Sequence, residues 1–138
     1  MKKMNPVVHF ELPAEDRQRM ANFYTSVFGW TAELLGEQMG NYVTVATTKG
    51  DQNGNPKERG IINGGLFPRS EGSAQYPSVV IAVDDINESI KKIENTGGKV
   101  LGEPVQIPQV GKYVSFIDTE NNRNSILQPV MNWNSSNQ

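Results

Sequence analysis

The only histidine of the chain, His9, lies two residues before Glu11 in an apolar run, Val7–Leu12. Side chains two residues apart in a β-strand share a face, so a strand here places an imidazole beside a carboxylate. Because imidazole titrates near neutral pH and an acid can tune it, the pair is a candidate for general acid–base catalysis. The structural alternatives are a hydrogen-bonded network, or a buried ion pair between Glu11 and an arginine such as Arg123.

Five further side chains carry polar groups suited to holding a ligand without reacting with it. Tyrosine rings stack on flat ligands, and amide and hydroxyl groups form neutral hydrogen bonds. Each group also has an ordinary structural alternative, either as a strand residue or as a partner for buried backbone. The candidate ligand-binding residues are Tyr42, Asn63, Tyr113, Ser125 and Gln128.

The composition excludes several classes of chemistry. The chain has no cysteine, which removes disulfides, thiolate metal sites and cysteine nucleophiles. Its formal net charge is -2, without the basic stripe of a nucleic-acid-binding protein. No apolar stretch is long enough to span a bilayer, and no apolar signal core follows the basic start. We therefore expect no nucleic acid or membrane partner and a cytoplasmic location.

The elements that must position these residues are repeated along the chain. The strand of His9 is followed by a predicted helix, Ala14–Phe28, and a glycine stop, Gly29. A second strand, Val79–Val83, is followed by a second helix, Asp85–Thr96, and by Gly97, which lies 97 − 29 = 68 residues after the first stop. A repeat of this length in 138 residues predicts two half-domains that share one core.

Alternation along the first strand predicts two faces of different character. Phe10 and Leu12 should pack beneath the first helix, while His9 and Glu11 project into a concave pocket on the opposite face. The pair Gly64-Gly65 predicts a bulge or a close backbone approach, and each helix should bury one apolar stripe. The stripe residues are Met20, Phe23, Tyr24, Val27 and Phe28 on the first helix and Ile86, Ile90 and Ile93 on the second.

Each half reads β-α-β-β-β, which predicts an α+β fold with helices on one side of curved mixed sheets. We expect a single domain over residues 1–138, with module one at about 7–67, a linker at 68–77, module two at about 78–130 and a polar tail at 131–138. The remaining predicted strands are Trp30–Leu35, Asn41–Thr47 and Gly60–Phe67 in module one, and Lys99–Leu101, Tyr113–Ile117 and Ser125–Val130 in module two.

Short motifs distributed from residue 7 to residue 130 carry a family resemblance. They are His9-Phe10-Glu11-Leu12-Pro13, Phe23-Tyr24, Phe28-Gly29-Trp30, Gly64-Gly65, Val83-Asp84-Asp85, Gly97-Gly98-Lys99-Val100, the segment from Phe116 to Asn122, and Gln128-Pro129. Together they resemble the vicinal-oxygen-chelate superfamily, which includes glyoxalase, extradiol dioxygenases and bleomycin-resistance proteins. The resemblance is greatest to its glyoxalase-like branch. It implies two βαβββ modules whose curled sheets form a shared cup, often in a homodimer.

The resemblance also implies four metal-ligand positions, which this chain fills only in part. His9 matches the first-strand ligand, whereas Ser78 and Ser125 stand at the positions of a second His and a final Glu. The strand that should supply the fourth ligand contains no acid, and Asn63 is its only strong polar side chain. One histidine cannot build a two-His-one-carboxylate site. We therefore expect no cofactor. A divalent metal is the alternative, for which the ligand set is incomplete.

The implied function is the binding of a small molecule in the cup between the modules, and three alternatives remain open. In the first alternative, the protein is a lyase or isomerase acting on a small oxygenated substrate, with His9 and Glu11 as acid–base groups. Alternatively, it sequesters an aromatic or antibiotic-like ligand without chemistry, or it is a partner-binding module without a small-molecule site. A homodimer is expected because an isolated curled sheet leaves edge strands open, and symmetric pairing covers them.

Overall fold

The computed structural model describes residues 4–130, so the predicted tail at 131–138 lies outside the described residues. In this range, eight β-strands and two α-helices follow one another in the predicted order, with one short 3-10 turn at Glu37–Met39. The elements are β1 (Val7–Ala14), α1 (Arg17–Phe28), β2 (Thr31–Leu34), β3 (Val43–Ala46), β4 (Asn63–Pro68), β5 (Ser78–Ala82), α2 (Ile86–Asn95), β6 (Lys99–Ile107), β7 (Gly111–Ile117) and β8 (Arg123–Pro129).

The residues fall into two compact units with the same strand topology. The first unit is His9–Ser78, and the second is residues 79–130 together with residues 4–8. The strand order is β2-β3-β4-β1 in the first unit and β5-β8-β7-β6 in the second. In both, the first and last strands along the chain pair in parallel, and the other pairs are antiparallel. The predicted α+β fold with two βαβββ modules is confirmed.

Helix α1 begins three residues later than predicted. Ala14 belongs to β1, because parallel pairing with β4 continues to the partner of Ala14, Pro68. The carboxylate of Asp16 accepts a hydrogen bond from the backbone N–H of Arg19 at 3.0 Å and caps the helix, so the acidic residues precede its first turn. The helix ends as predicted at Gly29, whose φ of 72° is the left-handed conformation of a glycine stop.

Strand β6 is longer than the predicted Lys99–Leu101. It continues to Ile107, and its pairing with β7 shifts register between Leu101 and Val105. The regular strand is interrupted at Gly102, which has a φ of 81°, and at the nearby Pro104. Glycine and proline weaken strands, so the sequence indicated that the strand ends before them. Pairing resumes after this irregularity, because β7 continues alongside.

Each unit has its own hydrophobic cluster beneath its own helix. In the first unit, Phe10 and Leu12 pack against the buried side chains as predicted, so the apolar face of β1 meets α1. In the second unit, Ile90 and Ile93 of α2 pack in the same way. The buried residues are Ala21, Val43, Val45 and Leu66 in the first cluster and Val83, Ile86, Val114 and Ile126 in the second.

The buried stripe predicted for α1 is wrong in part. Phe23, Val27 and Phe28 are 53%, 56% and 59% exposed, whereas Ala21 is buried. The small side chain of Ala21 faces the sheet, and this rotation of the helix leaves one flank of its apolar stripe in solvent. The stripe predicted for α2 is correct, because Ile86 is buried and the other two isoleucines pack against the cluster.

Candidate functional site

The polar face of β1 lies opposite the face that packs beneath α1. In the parallel pairing with β4, His9 stands beside Asn63 and Glu11 stands beside Gly65. Partners in register share a face of the sheet, so these four residues face the same side. Glu11 is only 9% exposed, and His9 is half-buried. Period-two alternation therefore separates ionisable and apolar side chains as the sequence predicts.

Tyr42 joins the two ionisable side chains of β1. Its hydroxyl oxygen lies 2.9 Å from Nε2 of His9, and its O–H donates to Oε2 of Glu11 at 3.1 Å. The rings of His9 and Tyr42 are nearly parallel, at an interplanar angle of 18°. We call this arrangement the His9–Tyr42–Glu11 chain. It brings together both predicted catalytic residues and one of the predicted ligand-binding residues.

The hydrogen bonds of this chain determine which ring nitrogen of His9 carries its proton. A carboxylate only accepts, so the single proton of Tyr42 is directed to Glu11, and Nε2–H of His9 must donate to the tyrosine oxygen. Burial of His9 lowers its pKa from 6.5 to about 4, because the charged imidazolium is poorly solvated there. At neutral pH the ring is therefore uncharged, and Nδ1 carries the lone pair.

Two adjacent glycines make room for aromatic rings on opposite faces of β4. A Cβ at Gly65 would overlap with the ring and hydroxyl of Tyr42, and a Cβ at Gly64 would overlap with the ring of Phe10. The predicted close approach is therefore found, although side chains rather than backbone make it. Gly65 is required for the His9–Tyr42–Glu11 chain, and Gly64 for the core beneath α1.

Arg17 and Asn41 position Tyr42, and sequence reasoning did not assign them a role. The guanidinium of Arg17 donates to the carbonyl oxygens of Leu35 at 2.6 Å and Asn41 at 3.1 Å, and the N–H of Leu35 donates to the carbonyl of Tyr42. Asn41 adopts a left-handed φ of 56° just before Tyr42. The available signal was an arginine in the first turn of a helix, where the helix dipole disfavours a cation that has no other partner.

Two of the predicted ligand-binding side chains hold backbone groups. Oδ1 of Asn63 accepts from the N–H of Thr47 at 2.9 Å, and Oε1 of Gln128 accepts from the N–H of Ile86 at 2.9 Å. Ile86 is the first residue of α2, so Gln128 satisfies one of the donors that every helix start leaves without an intrahelical partner. These bonds match the structural alternative for both residues, and their contact with a ligand stays a prediction.

The other two predicted ligand-binding residues, Tyr113 and Ser125, form a separate cluster in the second unit. The hydroxyl of Ser125 donates to the hydroxyl oxygen of Tyr113 at 2.7 Å and lies 2.9 Å from Oγ of Ser115. Ser125 is 2% exposed. This hydroxyl cluster contains no group that changes charge near neutral pH. It can donate and accept hydrogen bonds, but it cannot store a proton.

The residues present do not fit a transition-metal site. Within residues 4–130, no three side chains of His, Cys, Asp or Glu are grouped so that they could hold a metal ion. Nε2 of His9 faces the hydroxyl of Tyr42, and buried serines, Ser78 and Ser125, stand where the family resemblance implies a histidine and a glutamate. Neutral hydroxyls are poor substitutes for imidazole and carboxylate ligands.

Neither helix in residues 4–130 has the length and apolar character needed to cross a membrane.

Comparison with known proteins identifies the family. Residues 7–126 match the Glyoxalase/Bleomycin resistance protein/Dioxygenase superfamily. The match covers most of the 138 residues, and the chain belongs to this superfamily. The resemblance inferred from the sequence motifs is therefore confirmed.

Two relatives illustrate how widely such domains are used. The chain is 33% identical over 119 residues to a glyoxylase-like domain-containing protein of Didymella fabae, covering 84% of this chain and 88% of that protein. It is 30% identical over 122 residues to the anthracycline biosynthesis protein DnrV of Streptomyces peucetius, covering 79% of this chain and 42% of that protein. The chain thus spans about two fifths of the length of the anthracycline biosynthesis protein that it matches.

Solved structures share the fold at low sequence identity. A hypothetical protein from Bacillus halodurans C-125 superposes with a TM-score of 0.67 at 15% identity, covering 94% of this chain and 98% of that chain. Methylmalonyl-CoA epimerase of Streptomyces coelicolor, in complex with 2-nitronate-propionyl-CoA, superposes with a TM-score of 0.66 at 14% identity, covering 94% of this chain and 100% of that chain. At such identities the likeness establishes the fold alone.

Proposed function

We propose that this protein binds a small oxygenated molecule and catalyses proton transfer at a carbon beside a carbonyl group, as an isomerase or a lyase. The observation that carries the proposal is the His9–Tyr42–Glu11 chain. Three groups that can exchange protons are linked in series on one face of one unit. Such a face is suited to general acid–base catalysis of a carbon acid.

The proton route follows from the tautomer of His9. Nδ1 takes the proton from the substrate carbon, Nε2–H passes its proton to the oxygen of Tyr42, and the tyrosine O–H passes its own to Glu11. The substrate becomes an enolate, Glu11 becomes a neutral acid, and His9 and Tyr42 end uncharged. The total charge is unchanged, and return of the proton to the other face or another carbon completes an isomerisation.

Desolvation explains why His9 would need the other two groups. A pKa of about 4 makes the isolated imidazole a base roughly 300-fold weaker than an exposed histidine. In the proton route above, the imidazolium does not accumulate, because the proton moves on to the buried carboxylate. Burial makes His9 alone a weaker base. It also strengthens the electrostatic interactions within the site, which favours a proton relay in which the negative charge stays on Glu11 or on the substrate.

The test is exchange of a carbon-bound hydrogen in deuterium oxide, followed by nuclear magnetic resonance. Methylmalonyl-CoA is one probe, chosen because an epimerase of that substrate shares the fold, and the hemithioacetal of methylglyoxal and glutathione is a second. Tyr42→Phe keeps the ring but removes the linking hydroxyl, so exchange should fall by about 10²–10⁴-fold. Tyr76→Phe makes the same chemical change at an exposed tyrosine outside this chain of hydrogen bonds and should leave exchange within about twofold.

Two results would contradict the proton-transfer proposal. The first is exchange in the Tyr42→Phe variant at the rate of the unaltered protein. The second is that the unaltered protein binds a probe tightly and yet exchanges no hydrogen.

A second candidate function is non-catalytic sequestration of an aromatic ligand. Its support is that the three groups of the chain already satisfy one another and that His9 is uncharged at neutral pH. Similarity to an anthracycline biosynthesis protein supplies the probe. Fluorescence titration with an anthracycline should give saturable binding that persists in the Tyr42→Phe variant if sequestration is correct, and no saturation if it is not.

A further inference from the structure

The first unit has a groove that is separate from the His9–Tyr42–Glu11 chain. Its volume is about 420 Å³, which is within the range of small-molecule sites. It is formed by the end of β1, by α1 and by the segment between β4 and β5. Leu12 contributes from the face of β1 that meets α1, whereas the ionisable side chains of β1 project from the opposite face. The lining residues include Leu12, Pro13, Met20, Tyr24, Arg69 and Gln75.

The helix provides an apolar wall of fixed shape. Met20 and Tyr24 are four residues apart on α1, so their side chains lie on the same side of the helix. The ring of Tyr24 stacks on Trp30, with centroids 4.8 Å apart and an interplanar angle of 11°. Because Trp30 already holds this ring, an aromatic ligand can pack in the groove at little cost in side-chain entropy.

The wall between β4 and β5 is a turn held by its own hydrogen bonds. The amide of Gln75 donates to the carbonyl oxygens of Ser70 at 2.7 Å and Ser73 at 2.9 Å. The hydroxyl of Ser73 accepts from the backbone N–H of Ser70 at 2.9 Å. The shape of this wall therefore does not depend on a ligand, and preformed walls are typical of small-molecule sites.

Arg69 gives the groove its charge. Among the described residues that line the groove, it is the only charged one. Its backbone N–H donates to the carbonyl of Ala14 at 2.9 Å, which fixes the start of the side chain beside the end of β1. Nη1 donates to Oε1 of Glu15 at 3.1 Å, and the two side chains are 38% and 71% exposed. Such an exposed ion pair contributes little, and its bond uses one of the five N–H donors of a guanidinium.

We infer that this groove binds an aromatic carboxylate, with its ring against Met20 and Tyr24 and its carboxylate on Arg69. The planar fork of a guanidinium matches the two oxygens of a carboxylate. Glu15 competes with the ligand for the same guanidinium, so Arg69 provides the affinity and Glu15 limits it. The inference does not rest on proton transfer by His9, because the groove uses a different set of side chains.

The test is a titration followed by nuclear magnetic resonance of the backbone amides, with naphthoate as the probe. Naphthoate should shift the amide signals of Met20, Tyr24 and Gln75 and saturate with a dissociation constant of about 1 mM or below. The signals of His9 and Glu11 should stay in place. Naphthamide lacks the charge and acetate lacks the ring, so each should bind at least about tenfold more weakly.

Three variants separate the guanidinium from its competitor. Arg69→Gln retains the backbone bond to Ala14 and should weaken naphthoate binding by about tenfold. Glu15→Gln removes the competing charge and should tighten binding by about twofold to fivefold. Arg19→Gln makes the same change at an exposed arginine of α1 that is not among the described lining residues, and affinity should stay within about twofold.

Four results would overturn the inference. The first is a lack of saturation up to roughly 10 mM naphthoate. The second is a set of shifts confined to the polar face of β1, which would place the ligand beside His9. The third is equal affinity in Arg69→Gln and Arg19→Gln, since the guanidinium of the groove would then have no special part. The fourth is naphthamide binding as tightly as naphthoate.

Discussion

The two units place a tyrosine in the same kind of position but surround it with different chemistry. In the first unit, Tyr42 lies between an imidazole and a carboxylate. In the second unit, Tyr113 lies against the hydroxyl of Ser125, which in turn contacts Ser115. The strand order that brings these side chains together is the same in both units. The fold therefore fixes where polar side chains meet, and residue type decides whether they can move a proton.

The difference in side chains between the two units also explains how a repeated fold can carry one candidate active centre. Hydroxyl groups titrate far from neutral pH, so the cluster of the second unit is suited to holding a ligand by neutral hydrogen bonds. His9 and Glu11 are instead an imidazole and a carboxyl group linked through the hydroxyl of Tyr42, which is an arrangement suited to passing a proton between them. The first unit thus carries linked groups that can exchange a proton, and the second carries linked hydroxyl groups that form neutral hydrogen bonds.

The largest expected effect is on the free energy of unfolding, and it distinguishes the two faces of β1. Phe10→Ala should lower the free energy of unfolding by about 3–5 kcal/mol, because it leaves a cavity in the core beneath α1. His9→Ala, one residue away on the polar face, removes no core packing and should cost less than half as much. Urea denaturation measures both values. A larger loss for His9→Ala would mean that the assignment of faces is wrong.

The next effect concerns pH and separates the first unit from the second. Because burial lowers the pKa of His9 from 6.5 to about 4, the unfolded chain binds a proton in this range that the folded chain does not. The resulting stabilisation is full above pH 6.5 and is lost on acidification towards pH 4, by at most about 3 kcal/mol.

His9→Gln provides the control for this pH effect. Glutamine retains a donor for Tyr42 but does not titrate, so the variant should show a flatter decline in stability between pH 6.5 and 4. In the second unit, hydrogen bonds from the backbone and side chain of Asn122 and the backbone of Glu120 lower the pKa of Asp118, so this carboxyl titrates below the window. Parallel curves of stability against pH for the unaltered protein and the His9→Gln variant would contradict the assignment of this pH effect to His9.

A smaller effect is expected from a methyl group on the polar face of β4. Gly65→Ala should destabilise the protein by about 1–3 kcal/mol, because its Cβ overlaps with Tyr42 and the ring must move. Tyr42 should then leave His9 and Glu11, which restores part of the ordinary pKa of His9 in an NMR titration. Gly72→Ala has open space for its Cβ and is the matched control. An unshifted His9 titration in Gly65→Ala would show that the hydroxyl had not moved.

The smallest expected effect is that of a chelator. We expect protein purified without chelator to carry well under one equivalent of zinc, nickel, iron or manganese, because the ligand set is incomplete. Excess EDTA should then leave the melting temperature unchanged within about 1 °C. Stoichiometric metal by elemental analysis, with a clear fall in melting temperature on chelation, would show that the hydroxyls and His9 hold an ion after all.

Strand periodicity and stop signals made most of the fold predictable. Alternation along β1 assigned Phe10 and His9 to opposite faces, and Gly29 and Asp85 marked helix ends correctly. The orientation of α1 was not predictable, because an apolar stripe shows which residues avoid water but not which part of it the sheet covers. Ala21 has the smallest side chain of the helix and is buried in the cluster with strand residues, and which side of the helix turns to the sheet depends on how closely the backbones approach.

The residues of the candidate site were predictable from the sequence, but the hydrogen bonds that connect them were not. His9, Glu11 and Tyr42 could be named from residue type and strand position. That Tyr42 bridges the other two depends on contacts distant in sequence: the Arg17 bonds to Leu35 and Asn41, and the space above Gly65. Such contacts leave no local pattern, because each residue type involved is common in turns and strands.

Parallel pairing of β1 with β4 gives the site a place in the order of folding. It joins His9 to Asn63, which are 63 − 9 = 54 residues apart, whereas β2 and β3 or β7 and β8 are neighbours along the chain. Closing such a long loop is slow compared with forming hairpins, so we expect β1 to dock late. Until it docks, His9 is an ordinary solvated histidine. We therefore expect the lowered pKa of His9 to arise in the final stage of folding, so that the titration of a single ring reports when that stage is complete.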